Sequence, residues 1–328
     1  MEPATKTSPS AKIPLGVSQC LLGDRVRYDG SHKRNRFLVE TLGAYVEFRP
    51  FCPEVAIGLG VPRKPIRLMA IGGETRVRGV VNPELDVTEP LIEYAGQIAP
   101  GLVDICGYVF MQNSPSCGVF GIKRYGTNGF PLDSQGRGAF AGRLMELMPL
   151  LPVEEAGRLK DAGLRDNFIT RVFAYHDFKT TVGPAPTAKK LIDFYSRYKY
   201  QVMAHHVPSY FTIGRYLSNL AGRDLQVSSH EFLVLFMQAL AHHAGRKGNT
   251  NAMAHLRGYL KTILKPHEKQ ELSQLIDSYQ QGLVPLIVPL TLLRHHLGKL
   301  DNPYLKSQTF WSPHPERLGL RNHIVEST

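Results

Sequence analysis

The stretch YVFMQNSPSCGVFG, residues 108–121, sets a run of aromatic and β-branched residues directly before a turn rich in Ser, Pro and Gly. The first four residues read as a short strand, and the turn after it carries Cys117 with no second cysteine nearby. A structural zinc site of the C-x-x-C kind would want a close partner, and a buried core cysteine would not want Ser114 and Ser116 beside it. Two more cysteines stand in the same relation to strand-like runs. Cys20 follows IPLGV (13–17) and Cys52 follows AYVEF (44–48), each within a few residues.

Between the second and third runs lies DVTEPLIEYAGQIAPGLVDI, where Asp86 and Glu89 have capping-box spacing before a helical apolar pattern. GAFAGRLMELM (138–148) has helical periodicity too. Strands alternating with helices predict an α/β N-terminal domain, Rossmann-like, with a mostly parallel sheet. In such a sheet the carboxyl ends of the strands share one edge, where sites are built. Cys20, Cys52 and Cys117 are therefore expected to converge. Cys106, in DICGY, precedes its strand and reads as a small buried hydrophobe at the opposite edge.

Four cysteines in 328 residues do not resemble a disulfide scaffold. Three convergent thiolates suit an iron–sulfur cluster with one iron left open, or a zinc site with an open position. Three unrelated cysteines would look the same from spacing alone.

TVGPAPT (181–187) punctuates the chain as a linker, and beyond it the pattern is helical almost throughout. Pro208 and Pro266 stand at plausible first helical positions, and Ser228 and Glu231 have capping-box spacing. The reading is a disordered N-terminus over 1–11, an α/β domain over 12–155 and a helical connector and linker over 156–186. An all-α domain over 187–303 and an irregular tail over 304–328 follow. Of the formal net charge of +11, nine units fall after residue 170, together with 12 of the 13 histidines. Such asymmetry suits a polyanion, nucleic acid before an anionic membrane surface. Arg257, Lys261 and Lys265 recur at helical spacing as a row of cations. Lys189, Lys190, Arg197 and Lys199 are interleaved with Tyr195, Tyr198 and Tyr200, cations for phosphates beside rings for unpaired bases. The pairs His205–His206, His242–His243 and His295–His296 point about 100° apart on a helix and read as surface or helix-end residues rather than metal ligands.

The opening MEPATKTSPSAKIP has no apolar stretch, and no run approaches the roughly 18 residues of a membrane span. A cytoplasmic protein with no membrane partner is expected. No Walker motif or dinucleotide fingerprint occurs, so no nicotinamide, flavin or nucleoside triphosphate is called for.

SQCLLGDRVRYDG, CPEVAIGLGVPR and NSPSCG, each holding one cysteine, together resemble the thiouracil desulfurase (TudS-like) family, iron–sulfur proteins that remove sulfur from thiolated pyrimidines. The similarity covers about residues 12–155. With the helical remainder, the arrangement resembles the tRNA 4-thiouridine desulfidases. The resemblance implies a 4Fe–4S cluster on Cys20, Cys52 and Cys117, its fourth iron free of protein, with catalytic duties for Glu54 and Ser114. On their own, Ser114 reads as a turn residue before proline and Glu54 as a helix-start residue. The implied reaction is redox-neutral, a thiolated base plus water giving the ordinary base and bisulfide, with tRNA as the partner. The alternatives are a desulfurase of free thiopyrimidines whose helical domain dimerises, an RNA-binding protein with a structural metal, and a thiouridine-forming enzyme. The missing ATP loop speaks against the last.

Overall fold

The computed structural model describes residues 12–323, so the expected disorder over 1–11 and the last residues of the tail lie outside it. The chain divides into Met1–Lys160 and Asp161–Thr328.

The first unit contains β1 (Ile13–Ser18), β2 (Val46–Phe51), α1 (Pro53–Ala56), β3 (Ile66–Ile71), β4 (Glu74–Gly79), α2 (Thr88–Ile98), β5 (Tyr108–Phe110), β6 (Ile122–Tyr125), β7 (Pro131–Gly136), α3 (Ala139–Leu147) and β8 (Val153–Glu155). One sheet runs β2-β1-β5-β8 with every pairing parallel. Its inner strands are apolar on both faces, as parallel strands must be when chain covers both sides. Leu15, Val17, Val109 and Phe110 are fully buried. Gly16 sits opposite Tyr108 in register. A Cβ at Gly16 would stand 2.2 Å from the Tyr108 ring, so glycine there makes room for the aromatic stack of Phe51, Tyr108 and Phe110.

A second sheet, β4-β3-β6-β7, is mixed, with two antiparallel hairpins joined by the parallel β3–β6 pair. Sequence patterning did not separate it, because its edge strands β4 and β7 carry no apolar run, and β7 is largely exposed. The capping box at Asp86 and Glu89 is not formed. Val87 is the N-cap of α2, and Asp86 accepts instead from the Thr88 amide and hydroxyl while pairing with Arg76 and Arg78.

The second unit is helical: α4 (Ala162–Thr181), α5 (Ala188–His205), α6 (Val207–Leu217), α7 (Leu225–Ala241), α8 (Arg246–Arg257), α9 (Pro266–Gln281), α10 (Ile287–Gly298) and α11 (Pro303–Lys306). It begins at Asp161, so most of the expected connector, 161–186, belongs to it through α4. Residues 182–187 form the loop before α5, and Pro208 and Pro266 stand in first turns. Ser228 lies inside α7, whose start is capped by Asp224, so the second expected capping box is also absent. The tail is packed: Phe310 is fully buried, and the Gln308 amide donates to Ser196 O. No helix among the described residues is long and apolar enough to cross a membrane.

Two sequence readings change here. Tyr195, Tyr198 and Tyr200 are buried, so their faces pack in the core rather than meeting bases. Arg257, Lys261 and Lys265 do not share a helix: α8 ends at Arg257, Lys261 follows a 3-10 turn, and Lys265 is the N-cap of α9. Pro266, which disfavours helix in the turn before it, keeps Lys265 outside any helix running on from α8. Of the paired histidines, His205 and His296 are buried, each in the last turn of its helix, in keeping with the helix-end reading.

His205 closes α5 with both ring nitrogens engaged, Nε2 accepting from the Gln201 amide at 2.8 Å and Nδ1 donating to His242 O at 2.6 Å. Both bonds suit the neutral ring. Burial depresses its pKa to about 4, against about 6.5 in the unfolded chain. Between those values the unfolded state holds a proton that the folded state lacks, so stability falls as pH drops through that window. Urea unfolding of the full chain is expected to show a loss near 2 kcal/mol from this group between about pH 6.5 and 5, and His205→Gln to make the pH slope shallower by a similar amount.

Candidate functional site

The parallel register carries β1, β2 and β5 to one edge, and just beyond that edge all three expected cysteines appear. Cys20 sits in the 3-10 turn Gln19–Leu21, Cys52 is the N-cap of α1, and Cys117 lies in the turn after β5. All three line one cavity of about 260 Å³ together with Glu54, Arg63 and Ser114. Cys106 is buried elsewhere, its amide donating to Pro14 O at the start of β1, as its position before β5 implied.

The loop that presents Cys117 is held from several sides. Ser114 Oγ accepts from the amides of Ser116 and Cys117 at 3.2 and 3.0 Å, closing the turn. Asn113 adopts φ 56°, a left-handed conformation that asparagine tolerates better than most residues. Beyond the cysteine, Glu155 Oε1 accepts from the amides of Val119 and Phe120 at 2.7 and 3.1 Å. Gly138, at the start of α3, lies so close that a Cβ there would stand 2.5 Å from Ser116 O.

Glu54, in the first turn of α1, reaches across to this loop. Its Oε1 accepts from Ser116 Oγ at 2.9 Å, and its Oε2 pairs with Arg63 Nε and Nη2, both at 2.8 Å. Arg63 also donates to Val26 O and Gly60 O. Its side chain is 6% exposed and that of Glu54 14%. A buried ion pair of this quality fixes the carboxylate in one orientation. Ser114 is therefore both the turn residue and a cavity residue, and Glu54 both a helix-start residue and a cavity carboxylate.

Arg63 and Ser116 were not singled out as site residues by sequence reasoning. Both lie within the quoted motifs, yet nothing in their spacing announces that they grip Glu54.

Burial pushes the Cys20 thiol up to about 11, with Cys52 and Glu54 adding and Arg27 opposing. Burial likewise raises Cys52, and lifts Cys117 well above the usual thiol range with Glu54 adding. These thiols are costly to ionise without a nearby cation, and metal binding is what favours thiolate. Among the described residues the buried Tyr108 hydroxyl has no hydrogen-bond partner; burial holds its pKa up, and Cys117, Tyr94, Cys52 and Cys20 add to that. Among the described residues no three His, Cys, Asp or Glu side chains gather tightly enough for a single ion. The three thiols all line the one cavity, and three soft donors there fit an iron–sulfur group.

The basic residues of the helical unit fall in two groups. Lys189 pairs with Asp193, Lys190 donates to Val182 O and Ala185 O, Arg197 pairs with Asp177, and Lys199 lies over the Tyr210 ring. Arg257 and Lys261 line a groove of about 520 Å³ with His255 and Lys269, two residues that sequence reading did not pick out. Lys265 is exposed and does not line it.

Residues 15–156 match the model of a family described as 2-thiouracil desulfurase, and 199–315 match a family described as a protein of unknown function, DUF1722. The chain is 29% identical over 161 residues to the uncharacterized protein YbgA of Escherichia coli K12, covering 49% of this chain and 95% of that one. It is 34% identical over 111 residues to the uncharacterized protein YbbK of Bacillus subtilis 168, covering 31% and 71%. Among solved structures it is similar to a [4Fe-4S]-dependent thiouracil desulfidase, TudS, at 31% identity over 45% of this chain and 94% of that one, with a TM-score of 0.35.

Removing Arg63 strands a buried carboxylate. Arg63→Ala is expected to cost about 3–5 kcal/mol of folding stability, read from the shift of the denaturant midpoint, whereas Arg63→Ala combined with Glu54→Gln recovers part of it.

Proposed function

Because the chain belongs, through residues 15–156, to the 2-thiouracil desulfurase family, we propose that it is an iron–sulfur-dependent desulfidase acting on 4-thiouridine in tRNA. The observation that carries this reading is the meeting of Cys20, Cys52 and Cys117 with Glu54 and Ser114 around one cavity. In this reading the three cysteines hold a 4Fe–4S cluster. When bound, the cluster supplies an iron without a protein ligand, a soft acceptor for the departing sulfur.

The rest is the work of side chains. The C=S carbon of the base takes a water oxygen, the C–S bond breaks, and the sulfur leaves as bisulfide with no net oxidation or reduction. Glu54 receives the proton of the attacking water. Arg63 and Ser116 hold its two oxygens, so the carboxylate meets the water in one orientation. Ser114 Oγ accepts from two amides, which leaves its own hydrogen free to donate to the pyrimidine ring.

The tRNA part of the reading is supported by the charge of the helical unit and by the groove that brings Arg257 and Lys261 together with Lys269. Lys189, Lys190, Arg197, Lys199 and Lys265 are proposed to add to the same phosphate-binding surface. Desulfuration of the free base is the second reading, favoured by the thiouracil substrate named for the solved relative.

Protein made and reconstituted without oxygen is to be offered thiolated tRNA and free thiouracil. Release of bisulfide from tRNA is expected; release from the free base alone defeats the tRNA reading. Glu54→Ala is expected to slow sulfur release by about 100-fold or more while iron content stays near stoichiometric. Cys20→Ser, Cys52→Ser and Cys117→Ser should each lose the broad visible absorbance of the iron–sulfur centre.

A further inference from the structure

The tail of the helical unit walls a cavity of about 260 Å³ that neither the cysteine chemistry nor the basic groove uses. Its apolar lining is Ile287 at the start of α10, Trp311, Pro313 and Leu320. The Trp311 indole is held in place, its Nε1 donating to Leu305 O at 2.6 Å and its ring set edgewise against Phe310. His314 and Arg321 also line the cavity, and they are only 6% and 8% exposed.

His314 is oriented from α4, where Asp166 Oδ1 stands 2.6 Å from its Nε2. Desolvation opposes ionisation of Asp166, yet the His314 hydrogen bond and the charge of Arg321 hold its carboxyl below the usual carboxylate range. The carboxylate therefore accepts, Nε2 keeps its hydrogen, and Nδ1 is the nitrogen left over. Among the described residues that Nδ1 is buried with no hydrogen-bond partner. Arg321 is in the same condition. Its Nη1 donates to Phe310 O at 2.6 Å and its Nη2 lies 3.5 Å from Gln201 Oε1, while its Nε is buried and unpartnered. A buried polar atom without a partner is costly, and here two belong to residues in the wall of one cavity. Glu316, which also lines it, is already engaged by Arg294 and Ser312.

Few ligands satisfy both atoms. Nδ1 accepts in the neutral ring and donates in the charged one, and Arg321 donates in either case. An alcohol meets only the neutral ring and leaves the cation unmatched. A carboxylate, ionised near neutral pH, meets only the charged ring. A phosphate monoester has acceptor oxygens for the guanidinium and a second ionisation at about pH 6, so it presents P–OH or P–O⁻ as the ring requires.

We propose that this cavity binds a small phosphate monoester, its phosphate on His314 and Arg321 and its organic group against Trp311 and the other apolar walls. The site lies wholly within the helical unit and is independent of the reading of the cysteine cavity.

The test uses the full chain with phenyl phosphate, phenol and benzoate as probes. Calorimetry measures binding, and fluorescence reports its place, because Trp311 is the single tryptophan of the chain. Phenyl phosphate is expected to bind with a Kd below about 1 mM and to change the Trp311 emission with the same midpoint. It should bind about tenfold or more tighter than phenol or benzoate, and that preference should fall to about twofold or less in Arg321→Met and in His314→Gln. Circular dichroism checks that both variants fold. Asn322 lines the cavity from an exposed position, so Asn322→Asp serves if they do not; its new charge should weaken phenyl phosphate about threefold or more. Absence of saturable binding overturns the inference, as does equal binding of phenol or benzoate by the wild type. Binding that leaves the Trp311 emission unchanged, as expected of a phosphate held only at the groove of Arg257 and Lys261, overturns it too. So does a preference undiminished in every variant that folds.

Discussion

The parallel pairing of β1 with both β2 and β5 is the constraint from which the cysteine cavity follows. A parallel strand returns through a crossover, so successive strands end on the same edge whatever the length of chain between them. Cys20 and Cys52 are separated by a loop, short helical turns and β2, and Cys52 and Cys117 by a whole hairpin and helix. They meet because each follows its strand closely, and the register of Ile13–Ser18 against Val46–Phe51 fixes how far each strand reaches. Tyr108, stacked between Phe51 and Phe110 and given space by Gly16, is buried within the same sheet.

Strand ends alone do not orient side chains. The Arg63–Glu54–Ser116 chain ties α1 to the loop of Cys117, so the second and third motifs are joined by a buried ion pair and a hydrogen bond. Glu155, at the end of the outermost strand β8, holds the far side of the same loop through two amides. A carboxylate supported in this way cannot rotate out of the cavity without leaving Arg63 buried and unpaired, and that penalty keeps it in place. The positioning of the thiols and of the carboxylate is one problem solved by one network.

The helical unit follows a different logic. Its two cores are built from aromatic side chains around Phe194, Phe232 and Phe236, and from leucines of α8, α9 and α10 with Phe310 and Trp311 from the tail. The tyrosines interleaved with lysines in α5 serve these cores. The cations remain on the outside, where α8 and the start of α9 bring Arg257, Lys261 and Lys269 around one groove although they do not share a helix.

Much of the α/β region was legible from residues alone. Apolar runs followed by Gly, Pro and Ser gave three strands and the placement of their cysteines, since a strand's burial and its end are written locally. β2 is expected over 44–48 and found over Val46–Phe51, because Arg49 and Pro50 interrupt the apolar signal before Phe51. The mixed sheet escaped notice for a similar reason: its edge strands carry no apolar run, and one of them, β7, faces water. What the sequence determined by itself was where thiols stand relative to strands and how charge divides between the halves, both properties of the chain in order. Only tertiary structure decided that Arg63 and Ser116 hold Glu54, that Asp166 meets His314, and that three tyrosines turn inward. Each of those depends on contacts between segments distant in sequence, whose geometry exists only once the sheets and helices have packed.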